Sequence, residues 1–162
     1  PILYPVSQKN YNSDPAIAGH WRTLQRALKC AWAFTIFGYS APKTDVEAIS
    51  LLKAGWGNLK DRELEEIEII DIAEEAAILD SWKEFIHTHH YTTVKTFQES
   101  YIGSHPRRSC EALWARLMEC KFLDRYPIPE NISFDEIYDW LKPRLETEKR
   151  NKDNQAGDDN SE

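Results

Sequence analysis

Apolar positions along the front of the chain alternate between two rhythms. Ile2 to Val6 is a short apolar run and reads as a buried strand. The polar stretch NYNSDP at 10–15 follows as a loop. Asp14 is placed to cap a helix, with Pro15 at the first helical position, where its missing N–H costs nothing. Ile17, Trp21, Leu24, Leu28 and Ala31 then recur at helical spacing and make one face apolar. Residues 33–37, AFTIF, read as a second strand. Thr44 and Glu47 form a T-x-x-E capping box for a second helix, lined by Val46, Ile49, Leu52 and Trp56 and ended by Gly55 and Gly57. EIEIIDI at 66–72 reads as a third strand. This order of strand, helix, strand, helix, strand predicts a parallel sheet with covering helices.

After Asp71 the pattern turns helical. Residues 74–90 place Ile78, Trp82, Phe85 and Ile86 on one side, and YTTVK after them suits either a short strand or a loop. A helix is expected from Pro106 to about Leu123, with Leu113, Leu117 and Cys120 in register. The proline-rich YPIPENIS connects it to a last helix. There Ser133 and Glu136 form a second capping box, and Phe134, Ile137, Trp140 and Leu141 form the stripe. Pro143 is expected to kink or end this helix. Residues 148–162 are polar and charged and read as a disordered tail. Trp82, Trp114 and Trp140 are most simply core. The expected organisation is an α/β portion at 1–73, a helical segment at 74–147 packed on it, and the tail.

Composition narrows the function classes. The 162 residues suit one domain or a piece of one, and 41% hydrophobic content supports a core. A formal charge of -7 supplies no basic surplus for nucleic acid, so none is expected as a partner. No apolar run approaches the ~20 residues needed to cross a bilayer. Cys30, Cys110 and Cys120 are an odd number without C-x-x-C spacing, which reads as reduced thiols of a cytoplasmic protein. The chain opens PILYPV, already strand-like and without an initiator methionine, as the rear part of a longer protein would.

The stretch FTIFGYSAPKTD at 34–45 raises the question of chemistry. As a nucleophile elbow, Ser40 would attack an ester, with Asp71 or Asp80 and His89 or His90 completing a triad. Pro42 stands where an elbow needs a small residue, and the expected helix start near Thr44 comes too late for Ser40 to sit at a sharp corner. As a nucleotide site, Gly38 would let the backbone approach a ligand closely. The Ser40 hydroxyl and the helix start would face a phosphate or ribose, and Asp71, at the end of the next strand, would accept from ribose hydroxyls. The plain alternative is an ordinary turn and a solvated strand end.

PILYPV, a helix, FTIFGYSAPKTD and EIEIIDI together resemble the rear half of the NAD-binding Rossmann domain of sirtuins and bacterial SIR2-like proteins. In that family a strand ends in G-[TY]-S, whose glycine and serine contact NAD, and the next strand ends near a polar residue that contacts the adenosine ribose. The resemblance implies NAD as cofactor, with Gly38, Tyr39 and Ser40 as contacts. Asp71 stands where the family usually has asparagine. It covers about residues 1–72 and implies a three-layer, Rossmann-like parallel sheet. The family's G-A-G-x-S loop, catalytic histidine and zinc-ribbon cysteines are absent from this chain. They would lie upstream, in a missing front half, and NAD hydrolysis or deacylation would belong to the longer protein. No catalytic residue is assigned here. The alternative is a non-catalytic protein-interaction module on a degenerate Rossmann-like fold, with the helical part as its docking surface.

Two further clusters remain. HTHHY sets His87 and His90 one helical turn apart beside His89. Zinc would want a fuller ligand set, with Glu84 or Asp80, and no metal is expected; a helix-end role is the alternative. SHPRRSCEA puts Arg107 and Arg108 near a helix start, where the dipole disfavours cations. With His105 they form a candidate anion site, unless the arginines are paired to Glu111 or to another domain.

Overall fold

The structure, a computed structural model, describes residues 11, 13–41 and 45–158, with side chains as far as residue 150. The strand expected at 2–6, Pro42 and Thr44 lie outside these residues. The chain is mixed α/β, with a three-stranded parallel sheet and six α-helices among the described residues. It divides into two compact units, Pro1–Ser100 and Tyr101–Glu162.

In the first unit the order is α1 (Pro15–Lys29), β1 (Ala33–Phe37), α2 (Val46–Trp56), β2 (Glu66–Ile70), α3 (Glu75–Trp82) and β3 (Tyr91–Val94). The sheet runs β1-β2-β3, all parallel. β2 lies between its neighbours and all five of its residues are buried. YTTVK is thus part strand. Because β3 belongs to the same sheet, the α/β portion extends past residue 73, and the chain divides at Ser100. α3 stops at Trp82, well short of residue 90. A parallel β3 must start at the same edge as β2, so the chain needs the intervening residues to return there.

The side-chain period of two separates the sheet's faces. Ile36, Ile67 and Ile69 join Leu28, Leu52, Trp56, Ile78, Trp82 and Phe85 in one core, which places α1, α2 and α3 against that face. The opposite face carries Glu66, Glu68 and Ile70, all buried. Glu68 Oε2 accepts from the Thr35 hydroxyl at 3.0 Å, and Glu66 Oε1 accepts from the Thr92 hydroxyl at 2.7 Å.

The helix ends follow local chemistry. Asp14 Oδ1 accepts from the backbone N–H of Ala16 and Ile17 at 2.8 and 3.1 Å, as expected of an N-cap. The α1 stripe is narrower than its spacing suggests, since Leu24 is exposed. Asp45 stands at the N-cap position of α2 without a capping hydrogen bond from its side chain, and Glu47 accepts from Tyr11 N. Gly57, at φ +90°, ends α2, but Gly55 lies inside it. A Cβ on Gly55 would stand 2.8 Å from Gln25 Cα, so this glycine allows α1 and α2 to approach.

The second unit contains α4 (Tyr101–Ser104), α5 (Ser109–Glu119) and α6 (Phe134–Asp158). α5 is shorter than the expected 106–123. Its buried residues are Ala112, Leu113 and Ala115, while Leu117, Cys120 and Trp114 are exposed. The expected stripe is therefore off by part of a turn, and Trp114 is not core. The connection is tied down by Tyr126 N and Ile128 N, which donate to the carbonyls of Ser104 and Gly103 at 2.7 and 3.0 Å. The second capping box forms: Glu136 Oε2 accepts from Ser133 N and Oγ at 2.9 and 2.6 Å. Pro143 sits inside α6 on an exposed side and does not end it. The helix runs on through residues 148–158, where composition predicts disorder. No described helix is long and apolar enough to cross a membrane.

Candidate functional site

The β1–β2 register decides where the turn residues meet. Phe37 is paired with Ile70, so Gly38 and Asp71 are the next residues of two parallel neighbours, at the carboxyl edge of the sheet. Gly38 adopts φ +73°, and among the described residues nothing lies within 4 Å of the position a Cβ would take. Ser40 is exposed.

Asp71 is held in place rather than loosely solvated. Its N–H donates to Val94 O at 3.1 Å, and its Oδ1 accepts from Ala73 N at 2.8 Å, an Asx turn. Lys95, just past β3, reaches the same edge, where its Nζ donates to the carbonyls of Ile72 and Ala73. Phe37 and Phe97 pack there with ring centroids 5.9 Å apart. Sequence reasoning did not include Lys95, because YTTVK was readable as loop.

The helix-start side is acidic. Asp45 Oδ1 accepts from the Tyr11 hydroxyl at 3.2 Å, and Glu47 Oε1 accepts from Tyr11 N at 3.1 Å. Two carboxylates at this N-terminus suit hydroxyl groups and repel phosphate. Of the two ligand groups that the turn was expected to meet, ribose fits this chemistry. Tyr39 packs edge-on against Trp82, centroids 5.9 Å apart, and its buried hydroxyl has no hydrogen-bond partner among the described residues. Burial first, and then the charge of Asp45, push its phenol up to about 12.

The hydrolase alternative fails on topology. His89 and His90 immediately precede β3, and His90 O accepts from Ile67 N, so they lie at the amino edge of the sheet. Ser40 lies beyond the carboxyl end of β1, a strand length of roughly 13 Å away. With α2 starting at Val46, Ser40 is also not at a strand-to-helix corner.

His87 and His90 rings lie 5.7 Å apart and His89 and His90 rings 4.8 Å apart. Among the described residues no three His, Cys, Asp or Glu side chains are grouped to hold a metal ion. In the second unit, the residues of the candidate anion site each have a partner. Arg107 donates to Glu148 from Nε and Nη2, the shortest contact being 2.6 Å, and Arg108 pairs with Glu111 at 2.6 and 2.8 Å. His105 Nδ1 lies 3.1 Å from Ser104 Oγ and Nε2 3.3 Å from Leu123 O. The salt-bridged alternative describes both arginines, and an anion would have to displace a carboxylate from each.

Compared with known proteins, the chain matches no family model, no curated protein and no solved structure.

Proposed function

We propose that the Pro1–Ser100 unit is the nucleotide-binding part of a SIR2-like, Rossmann-like domain, and that it holds a ribose of NAD at the carboxyl edge of its sheet. One observation carries this reading: the Phe37–Ile70 register that sets the backbone of Gly38 beside the fixed carboxylate of Asp71. In this reading Gly38, Tyr39 and Ser40 line one side of the ligand and Asp71 accepts from its hydroxyls. NAD hydrolysis or deacylation would need the groups of a longer chain.

Binding by this chain is weak in this reading, because the described residues offer no cradle for a pyrophosphate. A loss of about 4 kcal/mol of contacts is about a thousandfold in affinity. The test is an amide-resolved NMR titration of the chain with NAD. Shifts confined to residues 37–40 and 71–73, saturating near millimolar NAD and lost in Asp71→Ala, are expected. An absence of shifts at these residues overturns the reading.

The second reading, a non-catalytic interaction module, has one observation in its favour: Phe134 and Tyr138 of α6 are 92% and 61% exposed.

A further inference from the structure

α6 has two apolar sides. One is used within its own unit. Trp140 stacks on Tyr126, centroids 4.9 Å apart and planes 19° apart, and the Arg144 guanidinium lies 3.3 Å from the centre of the Tyr126 ring. The other side is Phe134, Tyr138, Leu141 and Leu145. These residues are spaced four, three and four apart, the spacing of a coiled-coil seam. Phe134 is 92% and Tyr138 61% exposed, and Leu141 and Leu145 are partly exposed. A large aromatic left in water at the start of a capped helix gains by burial against a matching surface.

The charges beside the seam say which surface matches. On one flank, seven residues apart, stand Asp135, Lys142 and Lys149, all exposed. No ion pair engages Asp135 or Lys142 among the described residues. A parallel copy would bring Lys149 of each chain to Arg144 of the other, a like-charge pair. An antiparallel copy in which Tyr138 meets Leu141 and Phe134 meets Leu145 brings Asp135 of each chain within about half a turn of Lys142 of the other. One register thus satisfies the four apolar positions and two ion pairs together.

We propose that α6 is a self-association surface, pairing antiparallel with α6 of a second copy of the chain. The seam spans about 18 Å. The two-fold axis passes between residues 139 and 140. A seam this short makes a weak dimer, of the class seen in transient interfaces.

Sedimentation equilibrium of the full chain tests this, with circular dichroism confirming that each variant keeps its helix content. The expected result is a monomer–dimer equilibrium in the micromolar range. Phe134→Ser with Tyr138→Ser abolishes it, and both positions are exposed, so the fold survives. Asp135→Lys and Lys142→Asp each weaken it about tenfold, while the two changes in one chain restore it. A chain that stays monomeric at sub-millimolar concentration overturns the proposal. So does a dimer indifferent to the aromatic changes, or a double charge swap that fails to restore association.

Discussion

The Arg62 guanidinium lies over the Trp56 ring, 4.5 Å from its centre, while its Nε donates to the Trp56 carbonyl at 2.6 Å. Its two other nitrogens donate to the carbonyls of Leu28, Lys29 and Ala31, each at 2.9 Å. One buried side chain thereby satisfies the last carbonyls of both α1 and α2, next to the tryptophan that anchors the core through Phe85 O. Arg62→Ala leaves these carbonyls and the ring without their partner and is expected to cost about 3 kcal/mol. Arg62→Lys keeps the charge but lacks the planar fork and is expected to recover less than half. Urea unfolding followed by circular dichroism measures both; a loss under about 1 kcal/mol for the alanine variant contradicts the clamp.

Gly55 and Gly38 are expected to respond oppositely to alanine in their cause. Helix propensity alone makes Gly55→Ala a gain of about 1 kcal/mol. The packing makes it a loss of about 1–3 kcal/mol, because the new methyl meets the α1 backbone at Gln25. At Gly38 no described residue crowds the methyl, and the positive φ resists, costing about 1 kcal/mol. Thermal midpoints of the two variants separate these causes, and a stabilised Gly55→Ala would refute the close approach.

Tyr39 makes stability depend on pH at the alkaline end. Its folded value of about 12 lies above the ordinary 10.0, so the folded state favours the neutral phenol. That contribution is full below pH 10 and is lost as pH rises toward 12. Tyr39→Phe removes a hydroxyl without a partner, so neutral-pH stability is expected to hold or rise slightly. The variant should also lose less stability across that window. Urea midpoints at a series of alkaline pH values test it, and identical slopes for both proteins would count against the assignment.

Ser40 is a ligand contact in the proposed reading, and His89 and His90 lie at the opposite edge of the sheet. A fluorophosphonate probe is expected to leave it unlabelled, with no difference between the parent chain and Ser40→Ala in mass spectrometry. Labelling that Ser40→Ala abolishes would restore the nucleophile.

Local signals carried the first unit a long way. Asp14 beside Pro15 marked the start of α1, the apolar runs marked β1 and β2, and their alternation with helices implied parallel pairing. Those features depend on neighbours in sequence, and so does the Ser133–Glu136 box that opens α6. The stripe residues were less legible, because spacing names a face without saying how much of it is covered. Leu24, Leu117 and Trp114 keep helical register and still lie in water.

Tertiary structure alone decided the rest. Gly55 reads as a stop until α1 is seen against it, and Arg62 reads as a surface cation until the carbonyls of two helix ends converge on it. Asp71 was placeable from sequence at a strand end, but its partners Val94 and Ala73, and the arrival of Lys95, required β3 to join the sheet. The pairing of Arg107 with Glu148 joins residues 41 apart. Contacts of that kind depend on how separate elements meet in space, and no local pattern of residues encodes the distance between them.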